Sequence, residues 1–344
     1  MTGTNDDERE VLRARIASHV AQATAGPVQV RALEPLAGGA CQDNWRVELT
    51  LEAGELRGAR TLVLRSDSRT SLPASIDRAA ELEVVRAAVR AGVRTPQARW
   101  GARDLTRPGA TSYFLDWVNG EAIGRRVVKG AQLAGARAGL PEELGRELAK
   151  IHSITPASEP GLFGGAGAPA EDPIATMLGI LRGMVDQLRE PRPAIELGLR
   201  WLADHRPASP EVTLVHGDFR VGNFLVAPDG LQAVLDWEFA HWGSPCEDLA
   251  WICVRDWRFG KLELPVGGIA KREPFVRAYE QASGRRVDAR EVHFWEVLGN
   301  VKWAIGSLQQ GDRYQAGEHD LELIAVARRA GEMEYEALRL MGET

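Results

Sequence analysis

Three polar residues between positions 218 and 236 have side chains suited to metal-assisted transfer chemistry. Asp218 lies in a tight His-Gly-Asp turn after an apolar run, Asn223 comes five positions later, and Asp236 ends a third apolar run. A positioned carboxylate can orient and deprotonate a hydroxyl group, and amide and carboxylate oxygens are ligands that Mg²⁺ accepts. The pattern therefore predicts phosphoryl transfer, with Asp218 as the base and Asn223 and Asp236 as metal ligands.

The motif around these residues resembles the aminoglycoside phosphotransferase and choline kinase superfamily. The resemblance is carried by the His-Gly-Asp-x₄-Asn segment 216–223 and by the Asp-Trp-Glu that begins at Asp236. Two further segments extend it, Gly-Ser-Pro-Cys-Glu-Asp-Leu-Ala-Trp at 243–251 and Leu-Ala-Lys-Ile-His at 148–152. It implies a small-molecule kinase that uses ATP or GTP and Mg²⁺ to phosphorylate a hydroxyl group of a small acceptor.

The same resemblance implies an α+β, two-lobed protein-kinase-like fold. The N-lobe, an antiparallel sheet plus a helix, is expected over residues 1–115, and a largely helical C-lobe with the catalytic loop and acceptor pocket over 116–344. The alternation of apolar residues agrees with this order, because short strands are predicted before residue 118 and mostly helices after residue 120.

The periodicity of apolar residues and the turn residues predict the helices and strands that carry these candidate residues. In chain order they are a helix at 7–24, strands at 28–33, 45–51 and 61–65, a helix at 76–91, strands at 98–102 and 112–118, helices at 144–154, 173–189 and 194–204, a strand–loop–strand unit at 212–236, and helices from about 247 to the end.

A glycine pair and a later strand end are candidates for nucleotide contacts. Gly38 and Gly39 lie between two predicted strands, where the superfamily has its nucleotide-covering loop and where bare backbone N–H groups can approach phosphates. A paired glycine between strands is otherwise simply a turn. The segment 113–120 resembles the hinge between the lobes, so Asp116 and Val118 are expected to offer a backbone C=O and N–H to a purine.

A basic residue on the third strand is the candidate for binding the α- and β-phosphates. Arg65 occupies the position at which the best-known members of the superfamily have lysine, and the branch linked to acyl-CoA dehydrogenases resembles this chain in having arginine. Glu81 is expected to pair with it from the following helix. Glu83 is the competitor, but a two-residue offset places it on another helix face.

Several residues near the motif have competing interpretations. Arg220 either stabilises charge on the transferring phosphate, as a catalytic residue, or is a solvated arginine in an exposed loop. His216 is expected to anchor the loop, Asp248 to support it, and His152 to be a packed structural histidine. Glu238 is expected to be an ordinary carboxylate at a strand end rather than a partner of the metal.

The acceptor is not readable from the sequence. Aromatic residues are frequent between positions 240 and 305, and most are expected in the core. Glu247, Asp256 and Glu296 could bind a polycationic aminoglycoside only if they shared a pocket. An endogenous metabolite is favoured over an antibiotic, because the chain resembles the branch linked to acyl-CoA dehydrogenases and has no obvious acidic cluster.

The alternative is a nucleotide-binding pseudokinase that acts as a scaffold. Only Arg65, in place of the usual lysine, supports it, and the presence of Asp218, Asn223 and Asp236 argues against it.

Composition excludes several other classes of protein. The formal net charge of −6 provides no general basic field for nucleic acid or an anionic membrane, and no apolar run is long enough to span a bilayer. The polar, acidic N-terminus and the sparse cysteines fit a reducing cytoplasm. We expect no nucleic-acid or membrane partner, and the oligomeric state remains open.

Overall fold

The computed structural model describes residues 3–36, 43–67, 75–165, 172–208, 211–318 and 320–342. The chain divides into two compact units. The first unit comprises residues 1–119, 162–164 and 233–240, and the second comprises residues 120–161, 165–232 and 241–344. The segment 233–240, which contains Asp236, belongs to the first unit because its backbone bonds there: Ile76 donates to the carbonyl of Glu238, and Val234 donates to that of Arg94.

The first unit is built on a five-stranded antiparallel sheet. Its strands are β1 (Val28–Pro35), β2 (Asp43–Leu51), β3 (Gly58–Ser66), β4 (Ala98–Arg103) and β5 (Thr111–Asp116). They lie in the order β1-β2-β3-β5-β4. Arg65 on β3 lies opposite Asn44 on one side and Tyr113 on the other, so it occupies the middle of the sheet rather than an edge.

Two helices pack on this sheet, α1 (Gly3–Thr24) and α2 (Arg78–Arg90). Ile16 and Val20 of α1 join Val47, Leu64 and Phe114 of the sheet in one buried apolar cluster. An aspartate at position 77 caps the start of α2, because its carboxylate accepts from the N–H of residue 80 at 2.8 Å. The cap fixes the first turn of α2, which carries Glu81.

The second unit is largely helical. Its helices are α3 (Gly124–Lys129), α4 (Ala134–Ile151), α5 (Pro173–Val185), α6 (Pro193–Asp204), α7 (Pro245–Trp251), α8 (Arg272–Ser283), α9 (Ala289–Gln315), α10 (Leu321–Ala327) and α11 (Ala330–Met341). The long helix α9 packs against α5, α6, α7, α10 and α11, and α4 packs against α8. The start of α4 precedes the predicted start by ten residues, and α3 was not predicted.

Short strands hold the loop that carries the sequence motif. They are β6 (Thr213–Val215), β7 (Phe224–Ala227), β8 (Gly230–Val234) and β9 (His241–Gly243). β6 pairs with β9, and β7 pairs with β8. Helices were predicted from about 247 to the end, and the structure has them except over 252–271, where it has turns and one short 3₁₀ segment. Glycines and a proline in that stretch oppose helix.

Within the described part of the chain, no helix is both long enough and apolar enough to cross a membrane.

Candidate functional site

The loop from His216 to Asn223 connects β6 to β7 in the second unit. Gly217 and Gly222 have φ values of +78° and +118°, in the left-handed region that residues with a Cβ rarely adopt. The two glycines let the backbone turn sharply on either side of the intervening residues. Asp218 is thereby presented at a fixed point of the loop.

A buried carboxylate at the start of α7 supports this loop. The two oxygens of Asp248 accept from the backbone N–H groups of His216, at 2.7 Å, and of Gly217, at 3.0 Å. His152 approaches the same carboxylate at 3.2 Å with Nε2, and its Nδ1 lies 3.0 Å from the hydroxyl of Tyr279. Asp248 and His152 therefore have structural contacts of the kind that the sequence predicted.

The carboxylate of Asp218 is held by three different donors. Oδ1 accepts from the indole Nε1 of Trp251 at 2.7 Å and from Nε of Arg220 at 2.9 Å. Oδ2 accepts from the amide Nδ2 of Asn223 at 2.6 Å, and Nε of Arg220 lies 3.2 Å from it. The backbone N–H of Asp218 donates to Nδ1 of His216 at 3.2 Å. Both oxygens of this carboxylate are therefore directed at donors.

Arg220 is not a solvated loop arginine. Its side chain is 25% exposed, and its guanidinium lies 4.4 Å above the centre of the Trp257 ring. Gly222 leaves the room that this arrangement needs, because a Cβ at that position would lie 2.5 Å from Nη1 of Arg220. The guanidinium is therefore fixed between an aromatic face and Asp218, which places a permanent cation beside the carboxylate.

The amide of Asn223 suits a metal ion. Its Nδ2 donates to both the backbone carbonyl and the side chain of Asp218, at 2.9 and 2.6 Å. This fixes the orientation of the amide, and Oδ1 forms no hydrogen bond with any residue the structure describes. A fixed amide oxygen without a donor is the type of ligand that Mg²⁺ binds.

Arg65, Glu81 and Asp236 meet in the first unit. Nη2 of Arg65 donates to Oε1 of Glu81 at 2.8 Å and to Oδ1 of Asp236 at 3.0 Å. The pair that the sequence predicted between Arg65 and Glu81 is therefore formed. Burial alone would lower the pKa of Arg65, but the charges of Glu81 and Asp236 raise it well above its usual value. The guanidinium remains a cation despite its burial.

A second arginine completes this group. Arg78, one turn before Glu81 on α2, bonds to Oε2 of Glu81 and, at 3.1 Å, to Oε2 of Glu238. Burial, followed by the charge of Asp236, raises the pKa of Glu238, and the charge of Arg78 opposes the rise. Glu238 is therefore a partner of Arg78 rather than a simple strand-end carboxylate.

One N–H group of Arg65 has no acceptor among the described residues and could bind an anion. Nε of Arg65 is buried and has no hydrogen-bond partner among the described residues. A buried donor without an acceptor is costly, and a phosphate oxygen would satisfy it. Asp236 presents its carboxylate from a strained backbone, since its φ of +69° is unusual for a residue with a side chain. Such outliers are frequent at functional sites.

The segment expected to contact a purine follows β5. The side chain of Asp116 is held by Arg99 through two bonds of 2.5 and 2.7 Å, and its backbone N–H donates to Gln97. The backbone N–H and C=O of Val118 make no hydrogen bond with the described residues. They are thus free to bind a ligand. Gly38 and Gly39 lie outside the described residues.

Two contacts of the site were missed from the sequence. Trp251 is buried, as expected of most aromatic residues in its stretch, but the bond of its N–H to Asp218 was not predicted. Arg78 was not considered, although its spacing of three residues from Glu81 on a predicted helix was a usable signal. The pairing of an indole N–H with a loop carboxylate had no such signal.

The three carboxylates considered for a cationic acceptor are each bonded to basic side chains of the protein. Glu247 is paired with His241 and Lys302, Asp256 with Arg329, and Glu296 with Arg258 and Arg272. Each is therefore already neutralised by a cation of its own.

A family model and curated relatives match this chain. The model of the phosphotransferase enzyme family, APH, matches residues 32–295. Acyl-CoA dehydrogenase family member 10 of Mus musculus is 30% identical over 199 residues, which cover 57% of this chain and 18% of the relative. Family member 11 of Pongo abelii is 27% identical over 285 residues, which cover 77% and 35%. The chain thus spans about a third or less of these relatives.

Solved structures show the same fold. A provisionally assigned aminoglycoside phosphotransferase from Ralstonia eutropha has a TM-score of 0.72 at 22% identity, and the match covers 97% of this chain and 98% of that one. The GDP complex of aminoglycoside 2'-phosphotransferase-IIIa has a TM-score of 0.60 at 16% identity, with 96% and 97% covered. A choline/ethanolamine kinase family protein from Mesorhizobium loti has a TM-score of 0.58 at 19% identity, with 97% and 95% covered. The predicted two-lobed kinase-like fold is confirmed.

Proposed function

Because the chain belongs to the phosphotransferase enzyme family, we propose that it transfers the γ-phosphoryl group of ATP or GTP to a hydroxyl group of a small molecule. It is a phosphotransferase of the class that uses an alcohol group as acceptor. The observation that carries the proposal is the ordered carboxylate of Asp218, which a tryptophan, an asparagine and an arginine hold in place.

Asp218 acts as the base in this proposal. The acceptor hydroxyl forms its new bond to the γ-phosphorus while the bond from that phosphorus to the β-phosphate oxygen breaks, and the hydroxyl proton passes to Asp218. Arg220, which already lies beside this carboxylate, would stabilise negative charge on the transferring group.

Asn223 and Asp236 would hold Mg²⁺, and Arg65 would bind the α- and β-phosphates. Bound Mg²⁺ would neutralise charge on the phosphate oxygens. The unbonded Oδ1 of Asn223 and the unpartnered Nε of Arg65 support these roles. Glu81 would fix the guanidinium of Arg65.

Backbone groups complete the proposed nucleotide site. Asp116 and Val118 would contact the purine edge, and Gly38 and Gly39 would cover the phosphates. A nucleotide donor fits the solved relative that carries GDP. The choice between ATP and GTP rests on backbone contacts that do not depend on side-chain type.

The acceptor is proposed to be an endogenous metabolite rather than an aminoglycoside. Glu247, Asp256 and Glu296 are each bonded to a basic side chain of the protein, so none is free to bind an ammonium group. The curated relatives of this chain, acyl-CoA dehydrogenase family members 10 and 11, support this choice over an antibiotic. The pseudokinase alternative is not favoured, because Arg65 makes the pair with Glu81 that an active enzyme requires.

The test is nucleotide consumption with Mg²⁺-ATP and Mg²⁺-GTP against a pooled library of hydroxylated metabolites and antibiotics. Asp218→Ala is expected to lower turnover at least about 100-fold, because it removes the base. Asp229→Ala, which removes an exposed carboxylate from the turn between β7 and β8, is the matched control and should keep full activity. Turnover that survives in Asp218→Ala would exclude the proposed base.

A further inference from the structure

Asp218 has one donor that none of the proposed roles uses. The indole N–H of Trp251 donates to Oδ1 at 2.7 Å. We propose that Trp251 is a positioning residue for phosphoryl transfer: it fixes the carboxylate of Asp218 in the orientation that receives the acceptor hydroxyl. The inference rests on the proposed role of Asp218 as the base.

The three donors to Asp218 differ in how exposed they are. Trp251 is 6% exposed and Asn223 is 5% exposed, whereas the side chain of Arg220 is 25% exposed. A carboxylate has about four lone-pair sites, and Nε of Arg220 contacts both oxygens of Asp218, so an incoming hydroxyl group can take the site of the longer contact, 3.2 Å to Oδ2. Arg220 is the most exposed of the three donors. Trp251 and Asn223 then hold one oxygen each, which keeps the plane of the carboxylate fixed.

The chemistry of the indole suits this role. An indole N–H is a donor only and carries no charge, so it orients the carboxylate without competing for the transferred proton. A lysine at the same place would neutralise the base and could give up a proton itself. Trp251 therefore fixes the direction of the lone pairs and leaves the basicity to Asp218.

The ring of Trp251 is itself held from two sides. The ammonium group of Lys302 lies 5.0 Å from its centre, and the ring of Trp257 lies 5.8 Å away. Lys302 in turn bonds to Glu247 at 3.5 Å. These contacts restrict the indole to the rotamer that points its N–H at Asp218.

Burial alone does not explain the bond. The indole nitrogens of Trp257 and Trp295 are also buried in this unit, and neither has a hydrogen-bond partner among the described residues. This unit therefore tolerates a desolvated indole N–H at other positions. The bond of Trp251 is specific to the loop carboxylate.

The first experiment observes the contact without any turnover. The protein is labelled with ¹⁵N-tryptophan, and the indole N–H resonance of Trp251 is assigned by its absence in Trp251→Phe. Asp218→Asn should shift this resonance and leave that of Trp295 unchanged. If the Trp251 resonance stays in place, the bond is absent in solution and the proposal fails.

The second experiment measures Mg²⁺-ATP hydrolysis, with water in place of the unidentified acceptor. Trp251→Phe keeps an aromatic ring but removes the N–H, and it should lower kcat about 10- to 100-fold with KM for ATP unchanged, the loss expected for one bond to a charged group. Trp295→Phe makes the same change of side chain away from the site and should stay within about 2-fold.

A double variant separates positioning from a general structural effect. If Trp251 acts through Asp218, Trp251→Phe should cause no further loss in the Asp218→Asn background. An equal loss in both backgrounds would overturn the proposal. If Asp218→Asn is inactive in ATP hydrolysis while Trp251→Phe is fully active, the positioning role of Trp251 is refuted and the proposed base is not. If Asp218→Asn is fully active, the proposed base itself is refuted.

Discussion

The two units hold their key carboxylates in different ways. In the first unit, Glu81 is bonded to two buried arginines, Arg65 and Arg78, and its charge is balanced by cations. In the second unit, Asp248 is bonded to backbone N–H groups and a histidine. Cations keep a buried carboxylate ionised. They also make its removal costly, because the buried cations would then lack a partner. Neutral donors fix the direction of a carboxylate and do not cancel its charge.

This difference agrees with the proposed function of each unit. A group that binds phosphates needs fixed positive charge, and the carboxylates of the first unit serve to hold it in place. In the second unit, Asp248 fixes the geometry of the loop through its bonds to backbone N–H groups, while Asp218, the proposed base, has a single cation among the described residues, Arg220, beside it. The comparison predicts that a lost carboxylate costs most where it balances buried cations.

The largest effect is expected at Glu81. Glu81→Ala leaves two buried guanidinium groups without their shared acceptor, so the free energy of unfolding should fall by about 3–5 kcal/mol. Glu83→Ala, two residues along the same helix, removes a carboxylate that is 51% exposed and pairs with Arg86. It should change stability by less than about 0.5 kcal/mol. Urea unfolding of both variants makes the comparison, and equal losses would contradict it.

Glu247 tests whether the stability lost with a carboxylate depends on its partners or on its unit, since Glu247 lies in the second unit but is paired with cations. Burial alone would raise its pKa, but the charges of His241 and Lys302 lower it to about 2. Because the folded pKa lies below the usual value of 4.5, the contribution is complete above about pH 4.5 and is lost as the pH falls toward 2.

Glu247→Gln should therefore lower the free energy of unfolding by about 3 kcal/mol at neutral pH. The difference from the unmodified protein should shrink to roughly half by pH 3. Urea unfolding of both proteins at pH 7 and pH 3 measures it. A difference that is the same at both pH values would show that the charge of Glu247 is not the cause.

A smaller loss is expected at Asp248. Asp248→Asn keeps the shape of the side chain but turns one acceptor oxygen into a donor that faces a backbone N–H, which should lower stability by about 2 kcal/mol. Asp204→Asn makes the same change at a side chain that is 59% exposed and pairs with Arg200, and should be nearly neutral. A loss at Asp248 larger than that at Glu81 would reverse the comparison between the units.

The smallest effect on stability is expected at Gly222. Gly222→Ala and Gly317→Ala both place a Cβ on a left-handed backbone, with φ of +118° and +111°, and each should cost about 1 kcal/mol. Only the Cβ at 222 meets a neighbour, Nη1 of Arg220, whereas that at 317 has nothing within 4 Å. Gly222→Ala alone should therefore also slow Mg²⁺-ATP turnover. Equal turnover in the two variants would show that the position of Arg220 does not matter.

Much of this arrangement could be predicted from the sequence, because its signals are local. The strands and α2 follow from periodicity and turn residues, and the pair of Arg65 with Glu81 follows from the resemblance to the kinase superfamily. The bond of Trp251 to Asp218 could not be predicted, since it joins residues 33 positions apart and depends on a ring orientation that packing sets. The irregular stretch after α7 was also missed, because its apolar residues resemble helix while its glycines determine the turns.

The backbone of Asp236 has a consequence for how such a chain can change over time. Glycine at this position would relieve the left-handed strain, by about 1 kcal/mol, and would remove a carboxylate partner of the buried cation Arg65. The relief of backbone strain would offset part of the stability lost with the ion pair. Under the proposed role of Asp236 as a metal ligand, the position would be held by two separate demands, the charge of Arg65 for folding and the metal ion for catalysis.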